Sequence, residues 1–285
     1  MASSPSHQLG QFIGYMLESA IIAHLKPITA DLNLYLDFKH PRAARNGLHE
    51  VCWRDAQGNN HKLDIVLEKG GSETQFGSPV AFIEIAWRRY TKHSKNKVQE
   101  ISGAILPIAN VFSQKMPFCG AILAGEFTQS SIDQIRSVGF RVLHFPLTII
   151  EQSYAAVGVD IHWEENTSDE ELIKKINQLE NLSLTQKNKV ISEFIRLNKT
   201  EIDNFCQQLK MVVSRSILNI KISVLYGNSV WLSTAEEACQ YIAAIPQNAF
   251  HNFAKIEIDL LYTTGDQQSL VFLDISSAIL YLRSI

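Results

Sequence analysis

Two hydrophobic strands that each carry one acid are the feature that most constrains the fold of this chain. The first, KLDIVLE, contains Asp64, and the second, VAFIEIAW, contains Glu84. An ionised carboxylate in a hydrophobic strand is costly unless a cation or a proton compensates it. Since 19 residues separate the two acids, a hairpin of successive strands brings both to one point. The sequence therefore predicts paired strands that hold a carboxylate pair.

Such a pair is suited to a hard divalent cation. Mg²⁺ binds oxygen ligands and usually takes only one or two carboxylates from the protein, with water and substrate phosphate supplying the rest. Five Lys or Arg side chains follow Glu84 before the next acid, Glu100. An acidic pocket beside a basic run is typical of phosphodiester chemistry. Within that run, the residues predicted to bind nucleic acid are Arg88, Arg89, Lys92 and Lys95.

The basic run also contains aromatic residues. Trp87 and Tyr90 lie among the cations, and aromatic rings of this kind stack on bases or pack on sugars in proteins that bind nucleic acids. A charge cluster at a helix start is also an ordinary solvated surface. Both interpretations of the run stay open at the level of the sequence.

The pattern of Asp64, a loop, and Glu84 in a hydrophobic strand followed by a helix resembles the PD-(D/E)XK nuclease superfamily, which includes many restriction endonucleases. The resemblance covers about residues 8–150. The segment GYMLE resembles the first core helix of the superfamily, which gives Glu18 a supporting role at the metal. The resemblance implies an α/β fold with a restriction-endonuclease-like α/β/α core and a mixed central sheet.

The same resemblance implies a function. It indicates a metal-dependent endonuclease that cleaves DNA with Mg²⁺, or with Mn²⁺, in restriction or antiphage defence. Asp64, Glu84 and Glu18 would then hold the metal. A companion defence or modification protein is an implied partner. A homodimer is expected as well, because cutting both strands of a duplex commonly needs two sites.

One position departs from the superfamily's pattern. The motif asks for a lysine two residues after the second acid, and this chain has Ala86 there. Lys97 is the first candidate to replace it, because it borders the apolar stripe of the following helix, with Lys62, Lys92, Lys95 and Arg88 behind it. The alternative is a nuclease fold without activity, serving as a nucleic-acid-binding or scaffold subunit.

Length and charge predict more than one domain. A chain of 285 residues with 46% hydrophobic content can bury a large core, and domains commonly contain about 100–200 residues. Lys and Arg number 15 against 12 Asp and Glu in residues 1–150, and 11 against 17 in residues 151–285. The first half is therefore net +3 and is expected to meet a polyanion. We expect a nuclease-like domain over 1–165, a helical connector over 166–217 and a small α+β module over 218–285.

Local patterns predict the elements of these domains. A helix is expected over 8–25 with its end near Pro27, and a short edge strand in VDIHWEE. A continuous strand is expected over 61–69, and NIKISVLYG predicts a strand over 219–227. No internal repeat is evident. Four scattered cysteines without C-x-x-C spacing, and the absence of a signal-like or long apolar segment, indicate a cytoplasmic protein that does not enter a membrane.

Overall fold

The computed structural model describes residues 4–224, 228–245 and 255–285. The chain divides into two compact units, Met1–Val213 and Ser214–Ile285. Residues 225–227, the last three of the strand predicted over 219–227, lie outside the described residues. Each unit is α/β in character and has its own sheet and helices.

The first unit contains seven described helices and seven strands. The helices are α1 (Pro5–Asp31), α2 (Ser94–Val111), α3 (Gln129–Ser137), α4 (Leu147–Ala155), α5 (Asp169–Glu180), α6 (Leu184–Leu197) and α7 (Lys199–Val213). The strands are β1 (Leu34–Phe38), β2 (Val51–Arg54), β3 (Asn60–Leu63), β4 (Ile65–Lys69), β5 (Ser78–Arg88), β6 (Phe118–Gly125) and β7 (Arg141–Pro146).

The main sheet of this unit is mixed. Its strand order is β1-β4-β5-β6-β7, and β2 pairs only with β3 in a separate hairpin. The β1/β4 and β4/β5 pairs are antiparallel, whereas β5/β6 and β6/β7 are parallel. The long helix α2 makes the crossover between β5 and β6, as parallel neighbours require. The predicted mixed α/β architecture with a mixed central sheet is thereby confirmed.

Apolar side chains cover both faces of the main sheet. On one face, α1 buries Leu9, Ile13 and Leu17 in a cluster that includes Ile83 of β5. On the other face, α2 buries a stripe at helical spacing against Phe82 of β5. Neighbouring residues of β5 therefore point to opposite layers. This alternation fixes which side chains of the strand can reach a site on either side.

Two local predictions for the first unit are corrected. Helix α1 continues through Pro27 to Asp31, because buried Leu25 and Thr29 on either side hold the helix in place despite the backbone hydrogen bond that proline removes. The segment VDIHWEE forms no strand in the described structure. Its alternate residues are buried, but they pack against the core rather than joining a ladder.

The predicted connector region consists of packed helices. Helix α5 packs against α1, α6 packs against α1 and α4, and α7 packs against β7. Phe194 and Leu209 are fully buried in the same cluster as α1. Residues up to Val213 thus belong to the first unit, because the apolar stripes of α5, α6 and α7 complete its core.

The second unit is built from two similar halves. Its strands and helices are β8 (Ile217–Val224), β9 (Val230–Leu232), α8 (Ala235–Ala243), β10 (Ile256–Tyr262), β11 (Gln267–Phe272) and α9 (Ile275–Leu282). The strand order is β11-β10-β8-β9 with antiparallel pairs, so each half is a hairpin followed by a helix. Thr234 and Asp274 cap the two helices with their side chains. The expectation of no internal repeat is therefore wrong at the level of structure.

None of the helices in the described ranges is both long and apolar enough to cross a membrane.

Candidate functional site

Asp64 lies at a bend between two strands. The predicted strand over 61–69 is interrupted there, because β3 pairs with β2 and β4 pairs with β1 and β5. The Ile85 backbone N–H donates to Asp64 Oδ2 at 2.7 Å, and the Asp64 backbone N–H donates to Glu84 Oε1 at 3.1 Å. Carboxyl oxygens of the two side chains therefore accept backbone N–H hydrogen bonds that strand carbonyls accept in a regular β-ladder. The result is that Asp64 and Glu84 are brought together.

The two carboxyl groups, hereafter the site pair (Asp64 and Glu84), perturb each other. Burial raises the pKa of Glu84 to about 8, and the charge of Asp64 contributes to the rise. Burial also raises the pKa of Asp64, while hydrogen bonds from the Ile85 N–H and from the Glu84 carboxyl act in the opposite direction. In the metal-free protein Glu84 is the acid that keeps its proton longer.

Lys97 is the cation that acts on both acids. Its positive charge lowers the pKa values of Asp64 and of Glu84, although burial outweighs it in both cases. Its ammonium lies 3.1 Å from Glu100 Oε2, and its side chain is 24% exposed. Among the candidates for the missing motif lysine, Lys97 on the neighbouring helix α2 is the one whose charge acts on both acids.

The other candidates have different surroundings. Arg88 lies 3.7 Å from Glu100, and Lys92 lies 2.7 Å from Glu165. Lys62 and Lys95 are exposed on β3 and α2. Ala86, which occupies the place of the motif lysine, is buried among the apolar side chains that pack under α2.

Glu18 faces the site pair from the other side. It lines a cavity of about 790 Å³ together with Asp64 and Lys39. Burial raises the pKa of Glu18, and the charge of Asp64 contributes to the rise, whereas Lys39 opposes it. Lys39 forms an ion pair with Glu50 at 3.0 Å. Lys39 and Glu50 were missed because β1, after which Lys39 follows directly, was not predicted.

The site pair fits the ligand chemistry of a divalent metal ion. Its donors are hard carboxylate oxygens, and among the described residues no Lys, Arg or His forms an ion pair with Asp64 or Glu84. A bound cation would supply the compensation that burial demands. In the same part of the chain, no three His, Cys, Asp or Glu side chains converge closely enough to ligate one metal. Glu18 is thus placed near the pair rather than against it.

The basic run is partly neutralised by acids of the same chain. Arg89 donates a hydrogen bond to the Trp163 carbonyl and lies 3.7 Å from Glu164. Lys92 pairs with Glu165, and Arg88 pairs with Glu100. Of the four cations predicted to bind nucleic acid, three therefore have acidic partners, and Lys95 is exposed on α2. The segment around Trp163 had been predicted as an edge strand, so its acids were not recognised as partners of this run.

A group of buried acids lies on β1 and β4 of the main sheet. Asp37 and Glu68 are both fully buried, and Arg42, also fully buried, lies 2.8 Å from Asp37 and 2.6 Å from Glu68. Arg45 forms a further ion pair with Asp37. Arg42 also donates to the carbonyls of Ser72 and Gln75. This arginine cluster (Asp37, Arg42, Arg45 and Glu68) anchors the loop between β4 and β5.

Comparison with known proteins adds little to this geometry. No family model matches the sequence, and no curated protein matches it. Among solved structures, the chain is similar to the crystal structure of a protein of unknown function, AF1548, with 10% sequence identity and a TM-score of 0.30. That match covers 65% of this chain and 98% of the other. A likeness of this size bears on neither fold nor function, so the functional conclusion depends on the site itself.

Proposed function

We propose that this protein is a metal-dependent endonuclease of the PD-(D/E)XK type, which hydrolyses DNA phosphodiester bonds. The observation that carries the proposal is the site pair, two half-buried acids that are linked by the hydrogen bond from the Asp64 N–H to Glu84 Oε1 and that form no ion pair with a Lys, Arg or His of the described residues. A structural acid pair of this kind is unfavourable without a ligand. Perturbed acids in a cleft are typical of functional sites.

The surroundings of the site pair support the same proposal. In the main sheet the elements follow one another as α1, β1, β4, β5, α2, β6, α3, β7, with α1 and α2 on opposite faces, as expected for the α/β/α core that the resemblance implies. Glu84 lies on the third of these strands and Asp64 directly precedes the second. Lys97 reaches the pair from the following helix. These placements agree with the superfamily's arrangement of two acids and a cation.

In the proposed mechanism each side chain has one role. Asp64 and Glu84 would hold Mg²⁺ or Mn²⁺, which would supply Lewis-acid stabilisation of the charge that develops on the phosphate. The Lys97 ammonium would orient the scissile phosphate and offset its charge. Glu18, which lines the cavity with Asp64, would accept a hydrogen bond from water and so position the nucleophile. Glu100 forms an ion pair with the Lys97 ammonium at 3.1 Å.

Incubation with supercoiled plasmid DNA tests the proposal. We expect nicked and then linear plasmid with Mg²⁺ or Mn²⁺, and no conversion in EDTA. The protein with Asp64→Asn is the control, because it keeps the shape of the side chain and removes its charge. Absence of cleavage with either metal would overturn the nuclease proposal.

A second function is favoured by one specific observation, the buried Ala86 in place of the motif lysine. If Lys97 does not take over that role, the protein is a nuclease-fold subunit that binds nucleic acid without cutting it. Such a protein would shift DNA in a gel and leave the plasmid intact. The two functions are therefore separated by one pair of assays on the same preparation.

A further inference from the structure

The cavity beside the site pair is a groove that runs along α1. Ser4, Gly10 and Glu18 all line it, and 14 residues at 1.5 Å each give a length of about 21 Å. A strand whose bases stack at about 3.4 Å would place about six nucleotides in that length. The acids Glu18 and Asp64 stand at one end, and the N-terminus of α1 stands at the other. We call this feature the α1 groove.

Aromatic side chains line the middle of the α1 groove. Tyr15, Trp87, Tyr90 and Trp163 all border it, and the rings of Trp87 and Trp163 lie 6.4 Å apart. Tyr15 is 68% exposed, so its ring is open to a ligand. A lone exposed tyrosine is ordinary on a protein surface. Here, however, it stands in a groove that already contains three further aromatic rings.

The close approach of α1 to Trp87 is built into the sequence. A Cβ atom at Gly10 would lie 3.1 Å from Trp87 Nε1, and one at Gly14 would lie 3.9 Å from Trp87 Cβ. Glycine at these positions lets the helix close onto β5. The glycines thereby hold the indole against α1, and Tyr15 lines the same groove.

The wall of the groove also has unmet hydrogen-bonding capacity. In the described part of the chain, six buried side-chain N or O atoms have no hydrogen-bond partner, and three of them are Arg88 Nε, Arg89 Nε and Tyr90 Oη. These three residues are consecutive, and all line the groove. The Arg89 side chain is 10% exposed. Buried donors without partners are rare and call for an explanation. Their concentration here makes this wall suited to a ligand that accepts hydrogen bonds.

We infer that the α1 groove binds an unpaired segment of a nucleic-acid strand, with at least one base stacked on Tyr15. This inference rests on the proposed function, since it names the form of the substrate that reaches the site pair. Bases inside a duplex stack on one another and present only their edges, whereas unpaired bases present faces that aromatic side chains can cover. The cations Arg88 and Arg89 lie where the backbone phosphates of such a strand would pass.

Fluorescence anisotropy on the full chain tests the inference, with labelled dT20, rU20 and a 20-base-pair duplex in EDTA, so that no strand is cut. We expect the wild type to bind dT20 more tightly than the duplex. Tyr15→Leu should weaken binding to dT20 by about 5- to 150-fold, the loss of one base–aromatic stack, and should change duplex binding by less than about twofold. Leucine is a good helix former, so α1 should stay folded.

Tyr15→Phe is the matched variant, since it keeps the ring and loses the hydroxyl, and it should bind as the wild type does. Leu184→Ala, at an exposed position of α6, controls for general surface effects. Equal losses of affinity for dT20 and rU20 would show that the groove recognises the base and not the sugar. A loss of affinity for rU20 alone would show that the groove binds RNA. Wild-type affinity of Tyr15→Leu for both single strands would overturn the inference, as would preference of the wild type for the duplex.

This outcome is separable from that of the plasmid assay. Plasmid cleavage with no effect of Tyr15→Leu on single-strand binding would support the nuclease proposal and contradict the inference about the α1 groove. Tyr15-dependent binding without cleavage would support the inference about the α1 groove and contradict the nuclease proposal.

Discussion

Two pairs of acids lie in or next to the main sheet, and their surroundings differ: Asp37 and Glu68 are fully buried, whereas Asp64 and Glu84 are half-buried. Asp37 and Glu68 are joined by Arg42 and Arg45, so their charges are matched by short ion pairs. Asp64 and Glu84 have only each other, two backbone N–H groups within the site and the field of Lys97. The charges of the first pair are compensated within the protein. The charges of the second pair are compensated only when a proton or a cation binds, which is why this pair is the candidate site.

Burial of an acid is therefore not by itself evidence of a functional site. From the sequence, Glu68 and Glu84 look alike, since each lies in a hydrophobic strand. The partner residues decide between them, and those of Glu68 come from the segment after β1. Substitutions at the site pair and in the arginine cluster should therefore have different effects.

Neutral replacement of the site pair should have opposite effects on activity and stability. We expect Glu84→Gln and Asp64→Asn each to lower plasmid cleavage by about 10³-fold or more, because metal binding contributes several kcal/mol to such reactions. In EDTA the free energy of unfolding should stay the same or rise, since an uncompensated buried charge is removed. Cleavage assays and urea unfolding measure the two effects. A loss of stability without a loss of cleavage would show that the site pair stabilises the fold and would contradict its assignment as the metal site.

Removal of a charge from the arginine cluster should be a stability effect. Arg42→Met leaves Glu68 and Asp37 buried with too little positive charge, and breaking a buried ion pair in this way costs about 3–5 kcal/mol. Arg54→Met, at an exposed arginine of β2, is the control and should change stability by about 0.5 kcal/mol or less. Urea unfolding compares the two variants. An Arg42→Met protein as stable as the control would mean that the cluster does not anchor its loop.

Lys97→Met should lower cleavage while the fold is kept. The methionine retains most of the alkyl stem that packs on α2 and removes the charge, so we expect a loss of about 10²–10³-fold, the effect of one positioned electrostatic group. Ala86→Lys in the same background should restore part of the activity. Lys95→Met, on the same helix and exposed, should cut nearly as the wild type does. Normal cleavage by Lys97→Met would direct attention to Lys62, Lys92 and Arg88.

The stability of the metal-free protein should depend on pH through the site pair. The pKa of Glu84 is raised to about 8, so between the ordinary carboxyl pKa and that value the native state binds more protons than the unfolded state. The free energy of unfolding should therefore fall as pH rises from about 4.5 to about 8. Glu84→Gln should remove that part of the slope. Thermal unfolding in EDTA measures it, and a wild-type slope unaffected by the substitution would contradict the assignment.

The smallest effect is expected in the basic run. A lysine that contacts one phosphate of duplex DNA contributes about 0.9 to the slope of log K against log salt. Lys92 already pairs with Glu165, so Lys92→Gln should change the slope by less than that. Glu165→Gln should tighten DNA binding, because it frees the lysine. A full change of about 0.9 in Lys92→Gln would show that DNA displaces Glu165.

Much of the first unit could be predicted from its local patterns. The stripe of α2, the buried strand β6 and the alternation in β5 each follow from the spacing of apolar residues. The break between β3 and β4 at Asp64 could not be predicted, because the hydrophobic pattern of KLDIVLE is that of a single strand. The break arises because β3 and β4 pair with strands of different sheets. Likewise the buried alternation in VDIHWEE indicates packing, but a ladder needs a neighbouring strand with free hydrogen-bonding groups.

The sequence alone indicates Asp64 and Glu84 as the candidate site acids, because a carboxylate flanked by hydrophobic residues in a strand requires compensation wherever the strand is placed. Only the tertiary structure decided which cation stands beside them and which acids cover the basic run, since Lys97, Glu164 and Glu165 reach their partners through contacts that sequence spacing does not specify. The same holds for the α1 groove. Its aromatic residues come from three separate segments, and only packing of α1 against β5 brings their rings together.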